Sequence, residues 1–222
     1  MQNFRARVLE AQFKNSTAKL SQAIRRAKYE LDVDTLATYC SVYDYKKASY
    51  YNYDSCKNAI IGAYNTKGAK NGYLIYDINR AGKIYNFNKT SSINLIDSCM
   101  AEMLYVNRML DGTYLGLFVC GYQLRLSLDI NGETGPNKLG YDIFDFVVSN
   151  EDDSLKGYKW NGSNYTQDDI DNLQDSDFGK AIKGNPCSKV SPQMLNGRGC
   201  SWYVLHDICP FDNKSGYFRC LP

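Results

Sequence analysis

A chain of 222 residues, 44% of them hydrophobic, has enough apolar surface for one elongated domain or two small ones, which excludes disorder of the whole. Lys and Arg total 26 against 24 Asp and Glu; a formal charge of +2 is far from the basic excess of a dedicated nucleic-acid binder, so no nucleic-acid partner is expected. No run of about 18 or more apolar residues occurs, so the chain as given is not expected to span a membrane.

In chain order, the first element is a long helix over positions 2–30. At 100° per residue, Ala6, Leu9, Phe13, Leu20, Ala23, Ile24, Ala27 and Leu31 share one side, while Lys14, Lys19, Arg25 and Arg26 point away. Phe4, Val8 and Ala11 form a second, shorter apolar patch, as expected if the start of the helix has neighbours on more than one side. No proline interrupts the segment, and Asp32 and Asp34 mark its exit or a new helix start. Positions 1–32 are therefore a helical unit, and 33–222 a globular head.

Within the head, positions 39–64 are crowded with tyrosine, and 56–64 read as a short second helix. Gly68 and Gly72 punctuate the chain, after which 73–78 and 83–87 form a small hairpin or irregular loops. Ile93, Ile96, Met100, Met103 and Leu104 have helical spacing, so 91–110 is expected to be a helix on the sheet. Asp111-Gly112 is a turn signal leading into strands at 113–119 and 122–128. In the second strand Tyr122, Leu124, Leu126 and Leu128 alternate with Gln123, Arg125 and Ser127, which predicts one buried and one wet face. A glycine-rich polar loop follows, then a third strand at 141–149. Positions 150–177, rich in aspartate, read as an exposed loop, and the tail holds one further strand at 201–205.

Eight cysteines, an even number, point to disulfides and an oxidising compartment such as the periplasm or the cell exterior. Zinc is disfavoured, since no C-x-x-C occurs and His206 is the only histidine. Sequence proximity suggests Cys40 with Cys56, Cys99 with Cys120, Cys187 with Cys200, and Cys209 with Cys220. On the chain-entropy account each such cross-link removes roughly 3 kcal/mol of unfolded-state freedom. Disulfides without an export segment are contradictory, because Met1 leads directly into the first helix. The expected resolution is a native N-terminal segment cut away, with Met1 supplied as a start.

Few residue sets carry chemistry. Asp129, Asn131, Asn137 and Asp142, with main-chain carbonyls, offer hard oxygen ligands for calcium, although the EF-hand spacing is missing. The alternative is that these side chains bond to the turn's own backbone. Cys200 with His206 would make a thiol nucleophile and base, but a disulfide and a surface imidazole explain them more simply, and no enzyme is expected. Five Asn-x-Ser/Thr matches occur, at Asn15, Asn88, Asn161, Asn164 and Asn213, and carry little weight on their own. Tyr43, Tyr45, Tyr50, Tyr51 and Tyr53 would either stack on sugars or a neighbouring subunit, or be buried in the fold.

Three segments together resemble bacterial type IV pilin-like proteins, a class that includes the pseudopilins of type II secretion. The first is the amphipathic stretch Val8-Leu9-Glu10-Ala11-Gln12-Phe13-Lys14 continuing to Ile24. The second is the loop Asp129-Ile130-Asn131-Gly132 with Gly135-Pro136-Asn137, Gly140, Asp142 and Phe144 at fixed offsets. The third is Asn196-Gly197-Arg198-Gly199-Cys200-Ser201-Trp202-Tyr203-Val204. The resemblance implies an α+β fold with the long helix packed on an antiparallel sheet and disulfide-stabilised loops. It implies a non-catalytic filament subunit, with other pilin or pseudopilin subunits as partners. It also implies attachment to the inner membrane through an apolar segment absent here, and a place on the periplasmic face of that membrane or in an extracellular filament. Some pseudopilins bind calcium in a loop, which adds to the reading of the polar turn. A secreted or surface-displayed binding module for glycan or host protein is the alternative.

Overall fold

The computed structural model describes residues 2–45, 49–64, 84–93, 105–120, 123–132, 134–159 and 186–221. The first helix, α1, spans Gln2–Glu30. Its apolar stripe is buried as the periodicity requires, with Leu20, Ala23, Ile24 and Ala27 fully inaccessible and Leu9 and Phe13 nearly so. Burial of Leu9, Phe13, Leu20 and Ile24 contributes on the order of 10 kcal/mol before the entropy of ordering the chain is subtracted. The helix ends where Asp32 takes a left-handed φ of 50°, a conformation that a short polar side chain tolerates, and the Val33 amide bonds back to the Lys28 carbonyl.

A short helix α2 (Leu36–Cys40), a hairpin of β1 (Tyr43–Asp44) and β2 (Ser49–Tyr50), and helix α3 (Tyr53–Tyr64) follow. α3 packs along α1, and the Cys40–Cys56 disulfide ties it to α2. A second small antiparallel pair, β3 (Ile84–Tyr85) with β4 (Ser92–Ile93), lies beyond.

The main sheet is a five-stranded antiparallel meander in sequential order: β5 (Tyr105–Arg108), β6 (Tyr114–Cys120), β7 (Gln123–Asp129), β8 (Ile143–Val148) and β9 (Leu155–Gly157). Register aligns Leu117, Leu126 and Phe146 in one row and Leu115, Leu128 and Phe144 in the next. These rows belong to the same hydrophobic core as the α1 stripe. The Phe13 ring lies 5.1 Å from Phe144 and 5.8 Å from Phe218, joining helix, sheet and tail. Both contacts are tilted or edge-on, as ring quadrupoles favour.

A polar cluster fixes the helix at its middle. Lys19 Nζ donates to Asp111 at 2.7 Å, and the Tyr64 hydroxyl reaches Asp111 at 3.3 Å and Thr113 at 3.2 Å. Burial pushes the Tyr64 hydroxyl up to about 12, so it remains a neutral donor at any physiological pH. Burial works against ionisation of Asp111 as well, but the hydrogen bonds from Lys19 and Thr113 prevail and hold its carboxyl below the ordinary value.

Three expectations are corrected. The second face of β7 is not wet: Gln123 and Ser127 are at most 5% exposed and Arg125 is half-buried, with Asp145 of β8, 1% exposed, beside them. The C-terminal segment covers it, with Arg198 Nε donating to Asp145 at 2.7 Å and the Tyr158 ring within 6.0 Å of both the Arg125 and Arg198 guanidinium carbons. The expected strand at 201–205 is a helix, α4 (Ser201–Leu205), entered through a 3-10 turn at Arg198–Cys200 whose last residue is bonded to Cys187. That constraint overrides the β-propensity of Trp, Tyr and Val. The expected helix at 91–110 begins and ends in the strands β4 and β5, and 94–104 lie outside the described residues.

Part of the acidic region is also structured: Leu155–Gly157 pairs with β8 as the fifth strand, and Asp153, 7% exposed, accepts from the Ala37 amide. Residues 160–177 of that region and 73–78 of the earlier expectation lie outside the described residues. Among the described residues the cross-links besides Cys40–Cys56 are Cys187–Cys200 and Cys209–Cys220, each joining neighbours in sequence. Cys99, and with it the expected Cys99–Cys120 pair, is outside the described residues.

Arg198→Ala leaves the Asp145 carboxylate, 1% exposed, buried without its cation. The expected cost is about 3–5 kcal/mol, read by urea unfolding. A loss below ~1 kcal/mol would mean that the tail is not held by this pair.

Candidate metal centre

The polar loop begins where β7 ends, at Asp129, and closes at Asp142, one residue before β8. The Ile130 amide donates to the Asp142 carbonyl at 2.9 Å, so the two aspartates stand side by side at the mouth of the hairpin. Asp129 Oδ1 accepts from the amides of Asn131 at 3.2 Å and Gly132 at 2.9 Å, the local bonding that aspartate favours in turns. Gly132 has φ of +59°, and a Cβ there would run into the Gly112 carbonyl oxygen; only glycine meets both demands. Asp142 accepts the amides of Asn137 at 2.8 Å and Lys138 at 2.6 Å, and no part of it reaches solvent.

Other elements hold the loop from outside. Tyr85 of β3 donates its amide to the Asn137 carbonyl and accepts from the Leu139 amide. Arg5 of α1 reaches the Gly135 carbonyl at 3.4 Å, and the buried Tyr217 hydroxyl donates to the Gly140 carbonyl at 2.5 Å. Gly140, at φ +72°, lies against the Cys187–Cys200 disulfide, where a Cβ would stand 2.8 Å from the Cys200 sulfur. The loop is thus pinned by the first helix, the small β3 strand and the tail together.

Electrostatically the site is unfavourable when empty of positive charge. Burial and then the nearby Asp142 charge push the Asp129 carboxyl up to about 8. Burial raises Asp142 as well, against the lowering pull of the Lys138 and Asn137 amides. The Asn131 side chain hydrogen-bonds Asp142, and its Oδ1 is buried with no hydrogen-bond partner among the protein atoms. Lys138 feels the Asp142 charge, yet burial lowers its pKa, and its ammonium sits over the Tyr141 ring at 4.5 Å.

No protein-family model, curated protein or solved structure matches the chain. The loop is therefore judged on its own donors. The carboxylates of Asp129 and Asp142 and the amide oxygen of Asn131 are hard donors, which fit calcium rather than zinc. Asn137 is in the same turn at φ 51°, with its amide on Asp142. The set is sparse: among the described residues no group of three or more His, Cys, Asp or Glu comes together, so main-chain carbonyls and water would complete the six to eight oxygens that calcium takes.

The Cys200–His206 pair has no such geometry. The Cys200 sulfur is committed to Cys187, and the exposed His206 ring stacks on Trp202 at 4.1 Å. Arg5, Tyr85 and Tyr217, which position the loop, carry no sequence signal linking them to it, because each arrives from a distant segment.

The pH dependence follows from the raised Asp129 value. In chelator, the folded state holds this proton up to about 8 while the unfolded chain releases it near ~3.9, so stability falls as pH rises between those values. Asp129→Asn should flatten that slope, and about 1 mM calcium should both flatten it and raise Tm in the wild type, measured by thermal melts from pH 4 to 9. Identical melts with calcium and with chelator would reduce the loop to a turn satisfied by its own backbone.

Proposed function

We propose that this chain is a structural, non-catalytic subunit of a type IV pilus or a type II secretion pseudopilus, with its polar hairpin fixed by calcium. The observation that carries the reading is the two-sidedness of α1. One side is sealed into the core, while the N-terminal part of the opposite side exposes Phe4 at 76% and Val8 at 39%. A helix that has already buried its main stripe has no internal use for a second apolar patch. Packing against the same helix of other copies supplies one.

Further support comes from the flank of α1. An open groove of about 370 Å³ runs beside it, floored by Phe13, Leu155, Val204 and Phe218 and rimmed by Glu10 and Lys14. Patch and groove lie on different sides of the helix, so a contact between them would be head to tail, the kind that propagates into a filament instead of closing into a dimer. The α+β architecture with its long N-terminal helix, and disulfides suited to an oxidising compartment, agree with a place on the periplasmic face of the inner membrane or in an extracellular filament. Among the described residues no helix is long and apolar enough to cross a membrane.

The test uses the full-length protein in its own cell. Filaments sheared from the surface, or cross-linked in the periplasm, should contain this chain. Replacing Phe4 and Val8 together with glutamate should lower its incorporation about tenfold or more without changing the Tm of the soluble part. A chain that is never found with filament proteins, or that incorporates equally well with both glutamates, would overturn the assignment.

A further inference from the structure

We propose that the end of the fold formed by the turn between β3 and β4 and the loop at 188–196 docks on an anionic phospholipid surface, a site independent of whether the subunit assembles. Arg5, Lys89, Lys138 and Lys189 gather there. Arg5 and Lys138 share the Tyr141 ring, with the guanidinium carbon 5.9 Å and the ammonium 4.5 Å from its centroid. The Lys138 ammonium also lies 5.8 Å from the Phe87 ring, which packs at 5.8 Å against Phe211, and Lys189 stands over Phe211 at 4.5 Å. Lys89 lies over Tyr85 of β3 at 5.1 Å, near enough for Lys138 to feel its charge together with that of Arg5. Adjoining aromatic rings thus hold these cations in one region.

Their charge is poorly balanced. Among the described residues none of these side chains has a carboxylate within salt-bridge distance. Lys138 feels the Asp142 charge, but that carboxylate is fully buried and accepts the Asn137 and Lys138 amides. Asp212, exposed beside Phe211 in sequence, is turned to the amides of Lys214 and Ser215. Burial, and after it the charges of Lys89 and Arg5, lower the Lys138 pKa, a repulsion that an incoming anion relieves. Lys89 also holds a left-handed φ of 62°, which glycine or asparagine adopts more readily, so lysine stands there against the backbone preference.

The neighbouring loop decides the kind of anion. Asn196 donates to the Ser188 and Ser191 carbonyls at 2.8 Å each and accepts the Ser188 amide at 3.0 Å. From the β3–β4 turn, Asn88 donates to the Ser191 carbonyl at 2.7 Å and Asn86 to the Gln193 carbonyl at 3.1 Å. These bonds fix the loop beside the turn that carries Lys89, and yet it leaves Val190 85% and Met194 46% exposed. A soluble polyanion would use the cations alone and leave both apolar side chains in water. A bilayer interface suits the two together: its phosphates meet the cations, and the boundary with the acyl chains takes a valine and a methionine. A loop already held in shape loses little freedom on docking.

The experiment sediments the chain with vesicles, in chelator so that calcium does not bridge protein to lipid. Vesicles of about 30% phosphatidylglycerol in phosphatidylcholine should bind it about tenfold or more tightly than phosphatidylcholine alone, and less so as salt is raised. The Lys89→Asn, Lys189→Gln double variant should lose about tenfold or more of that binding, since each lysine near a charged surface is worth about fivefold. Its Tm should not fall, because both side chains are exposed. Val190→Ser should weaken vesicle binding about threefold or more and leave the binding of soluble polyphosphate as it was. Equal binding to both kinds of vesicle, no binding to either, or a double variant that binds like the wild type overturns the proposal. Polyphosphate bound as tightly as the vesicles, with Val190→Ser changing neither, overturns it in favour of a soluble polyanion. All of this is read on the isolated chain, so failure here and absence from filaments are separate results.

Discussion

The seam between α1 and the first face of the sheet is the constraint on which the remaining structure depends. Phe13 sits at its centre, touching Phe144 on β8 and Phe218 of the tail. Because Leu20, Ile24 and Ala27 are fully buried along the same stripe, the helix has only one rotation about its axis that satisfies the core. That rotation fixes what faces outward. It places Lys19 on Asp111, Arg5 over the polar hairpin, and Phe4 and Val8 toward solvent. The exposed patch that supports a filament role is thus a consequence of how the core is satisfied.

The polar hairpin shows the opposite balance. Its two aspartates and an orphaned asparagine oxygen are costly to bury, and the chain surrounds them with backbone amides that offset the cost only in part. Other elements converge on this loop although it contributes little apolar burial of its own. Such convergence is expected where a loop must keep one shape for a ligand or a neighbour, since the bonds from Arg5, Tyr85 and Tyr217 remove the alternatives a glycine-rich turn would otherwise sample.

The legible parts of the sequence were those with a single dominant period. The stripe of α1 survives into the structure because one burial face decides it, and β7 forms where the alternation placed it. Alternation misled on one point. Gln123, Arg125 and Ser127 looked solvated because they are polar, but a polar strand face can be buried when another segment brings matching partners, as Arg198 and Tyr158 do. The tail was illegible for a related reason. Between Cys187 and Cys220 the cross-links and a few long-range hydrogen bonds set the backbone, so local propensity at 201–205 had little influence. For the loop, residue types at fixed offsets named Asp129, Asn131, Asn137 and Asp142, but not the buried setting that pushes Asp129 up to about 8.

Local chemistry along the chain therefore determined the helix, the strands with clean alternation, the oxidising compartment implied by cysteine, and the oxygen-rich character of the loop. Each depends on neighbours within a few residues, or on counts that need no geometry. Tertiary structure alone decided that the second sheet face is covered, that the two aspartates are desolvated together, and that Phe4, Val8, Tyr45 and Tyr51 remain exposed. Burial and charge proximity are properties of segments far apart in sequence, and a linear pattern carries no record of which distant side chain will arrive to cover, neutralise or abandon a given group.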